Sequence, residues 1–137
     1  MDQRSAPYAI FFLRVTLGLL AIAHIYWKFY VLEGGLNAWW TNLNAAGYPD
    51  WVLIYVLIAE TAAALCLLPG IYARWVALFS VPLMVGASLY WLGRTGFFFA
   101  SGGAELPILW TIALLVFAGL GDGAYALKRS PPFPLIG

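Results

Sequence analysis

Apolar residues run almost unbroken through four stretches of the chain: Tyr8 to Val31, Trp51 to Leu68, Tyr72 to Leu92, and Leu106 to about Leu127. A helix crosses a bilayer core with about 20 mainly apolar residues, so each stretch predicts a transmembrane helix. A barrel strand alternates apolar and polar positions over roughly ten residues, and these runs are continuous and much longer. The predicted fold is all-α, a single four-helix transmembrane bundle over residues 1–137.

Polarity collects in the connections. The longest, Val31 to Trp51, carries Glu33 and Asp50 but no Lys or Arg, whereas the short turn Pro69-Gly70-Ile71 leads directly into Arg74. Arg4, Arg74, Lys128 and Arg129 then share the side of both termini, against Lys28 and Arg94 on the other, so the positive-inside rule predicts cytoplasmic N and C termini. Trp27, Trp39, Trp40, Trp51 and Trp91 near the outer boundary, and Tyr72 and Trp75 near the inner one, would form aromatic belts. In the long connection, Leu36, Trp39, Trp40, Leu43 and Ala46 recur at helical spacing and predict an interfacial helix over about 36–46. That helix would either roof the outer mouth of the bundle or simply rest in the headgroups. Pro82 predicts a kink or an opened hydrogen-bond ladder in the third span, with Gly86 a turn later easing close packing. Arg4 ahead of an apolar run ending in Ala21-Ile22-Ala23 imitates a cleavable signal peptide. The run continues through Val31 and contains Arg14, so the first helix is expected to be retained. The tail from Ser130 to Gly137, rich in proline, predicts an extended, disordered terminus.

Composition makes lipid the solvent: 64% of residues are hydrophobic, 9% are charged, and the mean hydropathy is +0.86, where a soluble domain carries about a quarter charged residues. A net charge of +1 leaves no electrostatic footprint for nucleic acid. The single cysteine, Cys66, rules out an intrachain disulfide and a C-x-x-C redox centre. One histidine and one cysteine fall short of a metal-ligand set, and bis-His haem lacks its second ligand. Gly119-Leu120-Gly121-Asp122-Gly123 follows a membrane helix instead of a strand, so it is no dinucleotide fingerprint.

Charged side chains inside a hydrocarbon layer cost at least a few kcal/mol each, which singles out Arg14, His24, Lys28, Glu60 and Glu105 as candidate ligand-binding residues. His24 and Lys28 are four apart and stack on one face of the first helix. At 1.5 Å per residue, Lys28 lies roughly 5 Å from the outer helix end, His24 roughly 10 Å and Glu60 roughly 14 Å, so they share a depth range. Lys28 near a helix end has the alternative of snorkelling to the headgroups. Arg14, roughly 9 Å from the inner end, is expected to pair with Glu60 across helices or to snorkel inward. Glu60 lies mid-span and must be paired or protonated. Glu105 opens the last span, where a carboxylate also suits the helix dipole. Asp122, among glycines, reads as a turn or cap residue. With Tyr26, Tyr30, Tyr55, Tyr90 and several tryptophans around it, this polar set would suit a quinone or a small lipid headgroup, binding carbonyl oxygens and moving protons.

The run Leu13-Arg14-Val15-Thr16-Leu17-Gly18, then His24 and Lys28, Glu60 with Leu68-Pro69-Gly70 behind it, Glu105, and Gly119-x-Gly121 together resemble the DoxX family of small four-helix membrane proteins. The resemblance runs from about Ala9 to Lys128. It implies a membrane subunit of the kind associated with thiosulfate:quinone oxidoreductase or with membrane oxidoreductase assemblies that handle oxidative or thiol stress. It also implies Arg14, His24, Lys28, Glu60 and Glu105 as the polar set. The chain departs from the family at Ile25, where a glycine often follows the histidine, and at Ala126-Leu127-Lys128, where a Ser-Leu-Asp-like segment is common.

Two functional expectations follow. One is a subunit of a redox-linked complex, in the bacterial inner membrane, binding a quinone or lipid-like molecule in the outer half of the bundle. The other is a non-catalytic accessory subunit that packs against a larger membrane complex, with Gly119 and Gly123, four apart, as its helix-contact surface. A homo-oligomer is left open.

Overall fold

The computed structural model describes residues 3–131. Among them the regular elements are helices: α1 (Ala6–Tyr26), α2 (Gly35–Ala45), α3 (Asp50–Leu67), α4 (Ala73–Thr95) and α5 (Glu105–Leu120). Continued through its last turn as Ala6–Val31, α1 joins α3 and α4 as the three helices long and apolar enough to cross a membrane; α5 is apolar but shorter. The protein is an all-helical membrane protein. Its outward surface is built from exposed Phe12, Ile58, Leu65, Leu89, Leu109 and Ile112, as expected where lipid, not water, meets the helices.

Packing follows from small residues. The core joins Ala21 and Leu17 of α1 to Ala63, Ala64 and Leu67 of α3, to Ala73, Ala77 and Met84 of α4, and to Leu114, Phe117 and Ala118 of α5. Alanines at these positions let backbones approach, which matters where burial supplies no hydrophobic drive between helices. A Cβ added to Gly18 would sit 2.9 Å from Leu68 Cγ, so α1 and α3 approach closely there. The α1–α3 and α4–α5 pairs, with α3–α4 between them, carry the main contacts, whereas α1 and α5 meet only sparsely.

The helical reading of the long connection matches α2, which packs on the turn following α1. That turn, Trp27–Val31, is π-helical, which apolar periodicity does not signal. The last span is a correction: α5 ends at Leu120, not Leu127, because Gly121 leaves the helix at φ +101°. Gly123 therefore lies outside the helix, and a Cβ there would meet Ile10 and Phe11 at 2.8 Å. Gly119 and Gly123 do not form one outward face. The chain after α5 instead crosses the terminal end of the bundle, pairing with the turn before α4: Leu127 N–H donates to Pro69 C=O (3.1 Å), Lys128 N–H to Gly70 C=O (3.0 Å) and Tyr72 N–H to Lys128 C=O (3.0 Å). Asp122 accepts from Ser130 N–H and Oγ, both at 2.6 Å, and Trp75 Nε1 donates to Pro131 C=O. Ser130 and Pro131 are thus held in place, and the rest of the predicted tail, 132–137, lies outside the described residues.

Candidate functional site

Arg14 is fully buried, at 0% exposure, and it does not meet Glu60. Its guanidinium donates to the carbonyls of Leu67 (2.9 Å), Asp122 (2.6 Å), Ala124 (3.1 Å) and Tyr125 (3.4 Å) and lies over the Phe11 ring. The expected cross-helix pair fails for a geometric reason. Arg14 is level with the end of α3, and Glu60 lies about two turns further back along it. The residue ties α1, α3 and the post-α5 chain into a floor at the terminal end. Gly70 completes the floor with φ +80°; a Cβ there would lie 2.9 Å from Arg14 Cζ and 2.8 Å from Ala126 Cα.

Glu60 is paired with Lys28, whose Nζ donates to Glu60 Oε1. Lys28 is 4% and Glu60 7% exposed, so snorkelling to the headgroups is not what Lys28 does. Helical side chains lean toward the helix N-terminus, and from the end of the first span that direction leads down into the bundle. Lys28 sits in the π-helical turn Trp27–Val31, which adds a residue to the local repeat, a feature common at functional sites. The ammonium also lies 4.8 Å from the Trp39 ring centroid, so α2 closes over the pair.

Glu60 Oε2 is buried and accepts no hydrogen bond. A buried carboxylate oxygen left without a donor is costly, and Glu60 lines, with Lys28 and His24, a cleft of about 420 Å³. The cleft follows the sparse α1–α5 seam, with Leu20, Ala23, Leu106 and Trp110 among its walls. Its volume falls in the range of about 300–1,000 Å³ usual for small-molecule sites. His24 is exposed at the mouth, and its ring meets Trp110 edge-on at 4.7 Å. The set can take a hydroxyl or N–H donor at Glu60, present a cationic donor at Lys28 and pass protons at His24.

Glu105 is exposed and accepts from Phe99 N–H, fixing the loop before α5; it does not line the cleft. Of the predicted residues, the cleft therefore collects His24, Lys28 and Glu60 and leaves out Arg14 and Glu105. Sequence reasoning missed Trp39 and Trp110 as neighbours of Lys28 and His24. It also missed what Tyr55 does. Pro82 interrupts α4, and the Tyr55 hydroxyl enters the ladder beside it, accepting from Leu83 N–H (3.1 Å) and donating to Phe79 C=O (2.6 Å). A proline inside a membrane helix is itself a signal that a neighbouring helix will supply such a group.

Comparison with known proteins adds the following. The chain is similar to an uncharacterized protein of Haemophilus influenzae, with 29% identity over 131 residues covering 93% of each chain. No solved structure matches it. The DoxX family model matches residues 9–93, a region that holds Arg14, His24, Lys28 and Glu60 but stops before Glu105 and α5. With more than half its length matched, the chain belongs to the DoxX family.

Proposed function

We propose that this membrane protein binds a quinone, or a lipid-like molecule with a comparable polar head, in the α1–α5 cleft, and that it does so as a subunit of a redox-linked complex. The observation that carries the reading is Glu60, a buried residue with one carboxylate oxygen unpartnered, in the lining of an open cleft. In this reading Lys28 donates to a carbonyl oxygen of the quinone, Glu60 accepts a hydrogen bond from a hydroxyl of the reduced quinol head, and His24 relays a proton between the head and the mouth. A quinone, when bound, supplies two-electron, two-proton chemistry. Cys66 stands alone and offers no dithiol, so electrons would come from a partner subunit. The family membership supports the redox setting by resemblance only.

The reading includes four membrane crossings, with α5 as the short fourth, cytoplasmic N and C termini by the distribution of Arg4, Arg74, Lys128 and Arg129, and the bacterial inner membrane as location. The cleft then opens in the outer half of the bilayer.

The test is native mass spectrometry of the protein gently extracted from its own membrane. Wild type is expected to retain a molecule of quinone mass, and Glu60→Gln to lose it while remaining folded. An unchanged ligand complement in Glu60→Gln, or none in wild type, overturns the reading.

A further inference from the structure

A second cavity, of about 590 Å³, lies between α2, α3 and α4 and adjoins the cleft, with Trp39 among the residues lining both. The proposed function makes no use of it. Its walls are aromatic and aliphatic, with Trp51 and Tyr55 from α3 and Pro82, Gly86 and Tyr90 from α4. Among the described residues that line it, Arg94 alone is charged. The carboxylates adjacent in sequence to its walls, Glu33 and Asp50, are exposed and do not line it.

The shape and the charge together specify an occupant. From Pro82 at the base to Arg94 at the rim α4 rises about 18 Å at 1.5 Å per residue, close to the ~15 Å of one leaflet of a bilayer core. Arg94 stands at the last turn of α4, at the end of the bundle away from the termini. Its guanidinium donates to the Tyr90 hydroxyl and lies over the Tyr90 ring at 5.4 Å, which holds it at the mouth. Among the described residues the ion pair formed is Lys28–Glu60, so Arg94 has no carboxylate partner. Guanidinium forks match phosphate oxygens. A long apolar slot one leaflet deep, capped by an unneutralised guanidinium at headgroup level, suits an anionic amphiphile and no small polar solute.

We infer that the α2–α3–α4 chamber is a binding site for one anionic phospholipid of the leaflet at the far end, its phosphate on Arg94 and an acyl chain descending past Gly86 to Tyr55 and Pro82. The chamber shares a wall with the Lys28–Glu60 cleft, Trp27, Trp39, Val56, Leu83, Ala87 and Trp91 lining both, but the inference rests on Arg94 and stands whether or not that cleft takes a quinone.

A Cβ at Gly86 meets nothing within 4 Å, so Gly86→Leu pushes a side chain into the chamber without a backbone clash. Gly93 has equally open space around it, is exposed and does not line the chamber, so Gly93→Leu is the control. Each protein is reconstituted in nanodiscs of equal parts phosphatidylglycerol and phosphatidylethanolamine, and the lipids that stay bound on gentle release are identified by native mass spectrometry. Wild type and Gly93→Leu are expected to retain one lipid enriched in phosphatidylglycerol. Gly86→Leu is expected to lose that lipid severalfold, and Arg94→Gln to retain a lipid at the supplied ratio. Retention at the supplied ratio by wild type overturns the inference, as does undiminished retention by Gly86→Leu or an equal loss in Gly93→Leu. Arg94→Gln, at an exposed side chain, decides the headgroup claim even if Gly86→Leu does not fold.

Discussion

Two buried cations, Arg14 and Lys28, sit about twenty ångströms apart along α1, and they are treated in opposite ways. Arg14 spends its donors on four backbone carbonyls that would otherwise be orphaned at the end of α3 and after α5, and the Gly70 and Ala126 backbones close the space around it. Lys28 meets a carboxylate with an oxygen to spare, beneath a cleft large enough for a small molecule. A saturated charge with no space around it is a structural device. A charge pair with an unused acceptor beside open volume is incomplete by itself, and incompleteness of that kind marks a binding site.

Removing each charge breaks or sharpens the contrast. Arg14→Met is expected to have the largest effect, because four carbonyls lose their donor at once; the loss is on the order of 5 kcal/mol and is read as a collapse of the thermal midpoint in detergent. Lys28→Met leaves Glu60 buried without a countercharge and is expected to cost about 3 kcal/mol. The double variant Lys28→Met with Glu60→Leu removes both charges, and buried pairs replaced by apolar groups are often neutral or better. Its midpoint should return to within about 1 kcal/mol of wild type while the ligand retained by wild type is lost. A double variant as unstable as Lys28→Met would place this pair in the same structural class as Arg14. The smallest effect is expected from Tyr55→Phe, about 1 kcal/mol for the hydroxyl's bonds to the α4 ladder. Pro82→Ala on that background should recover most of it, since Leu83 N–H can again reach Phe79 C=O in a regular helix.

Much of the fold was readable because membrane helices announce themselves by length and hydropathy. Tyr8 to Val31 and Trp51 to Leu68 need no tertiary information, and α2 follows from the helical spacing of Leu36, Trp39, Trp40 and Leu43. The candidate site was readable as a set of residue types, since any ionisable group in lipid demands a partner. The pairing was not. Depth along a helix puts Lys28 near the surface, but its stem leans back toward the N-terminus and it is buried within the π-helical turn at Trp27–Val31. Charge alone matches Arg14 with Glu60, although their levels differ by about two helical turns. The end of α5 was misread because Ala124-Tyr125-Ala126-Leu127 is apolar enough to extend a span; the positive φ at Gly121, and the carbonyls that Arg14 then collects, stop it at Leu120.

The account turns on the free oxygen of Glu60. Infrared difference spectroscopy of the protein labelled with carbon-13 at its glutamate carboxyls, recorded in nanodiscs before and after adding a naphthoquinone reduced to its quinol, reads that group directly. The expected result is a shifted carboxyl band in wild type that is absent in Glu60→Gln and retained in Glu105→Gln, whose carboxylate lies outside the cleft. A spectrum unchanged by the quinol, or a band that persists in Glu60→Gln, would contradict the claim that Glu60 receives a ligand.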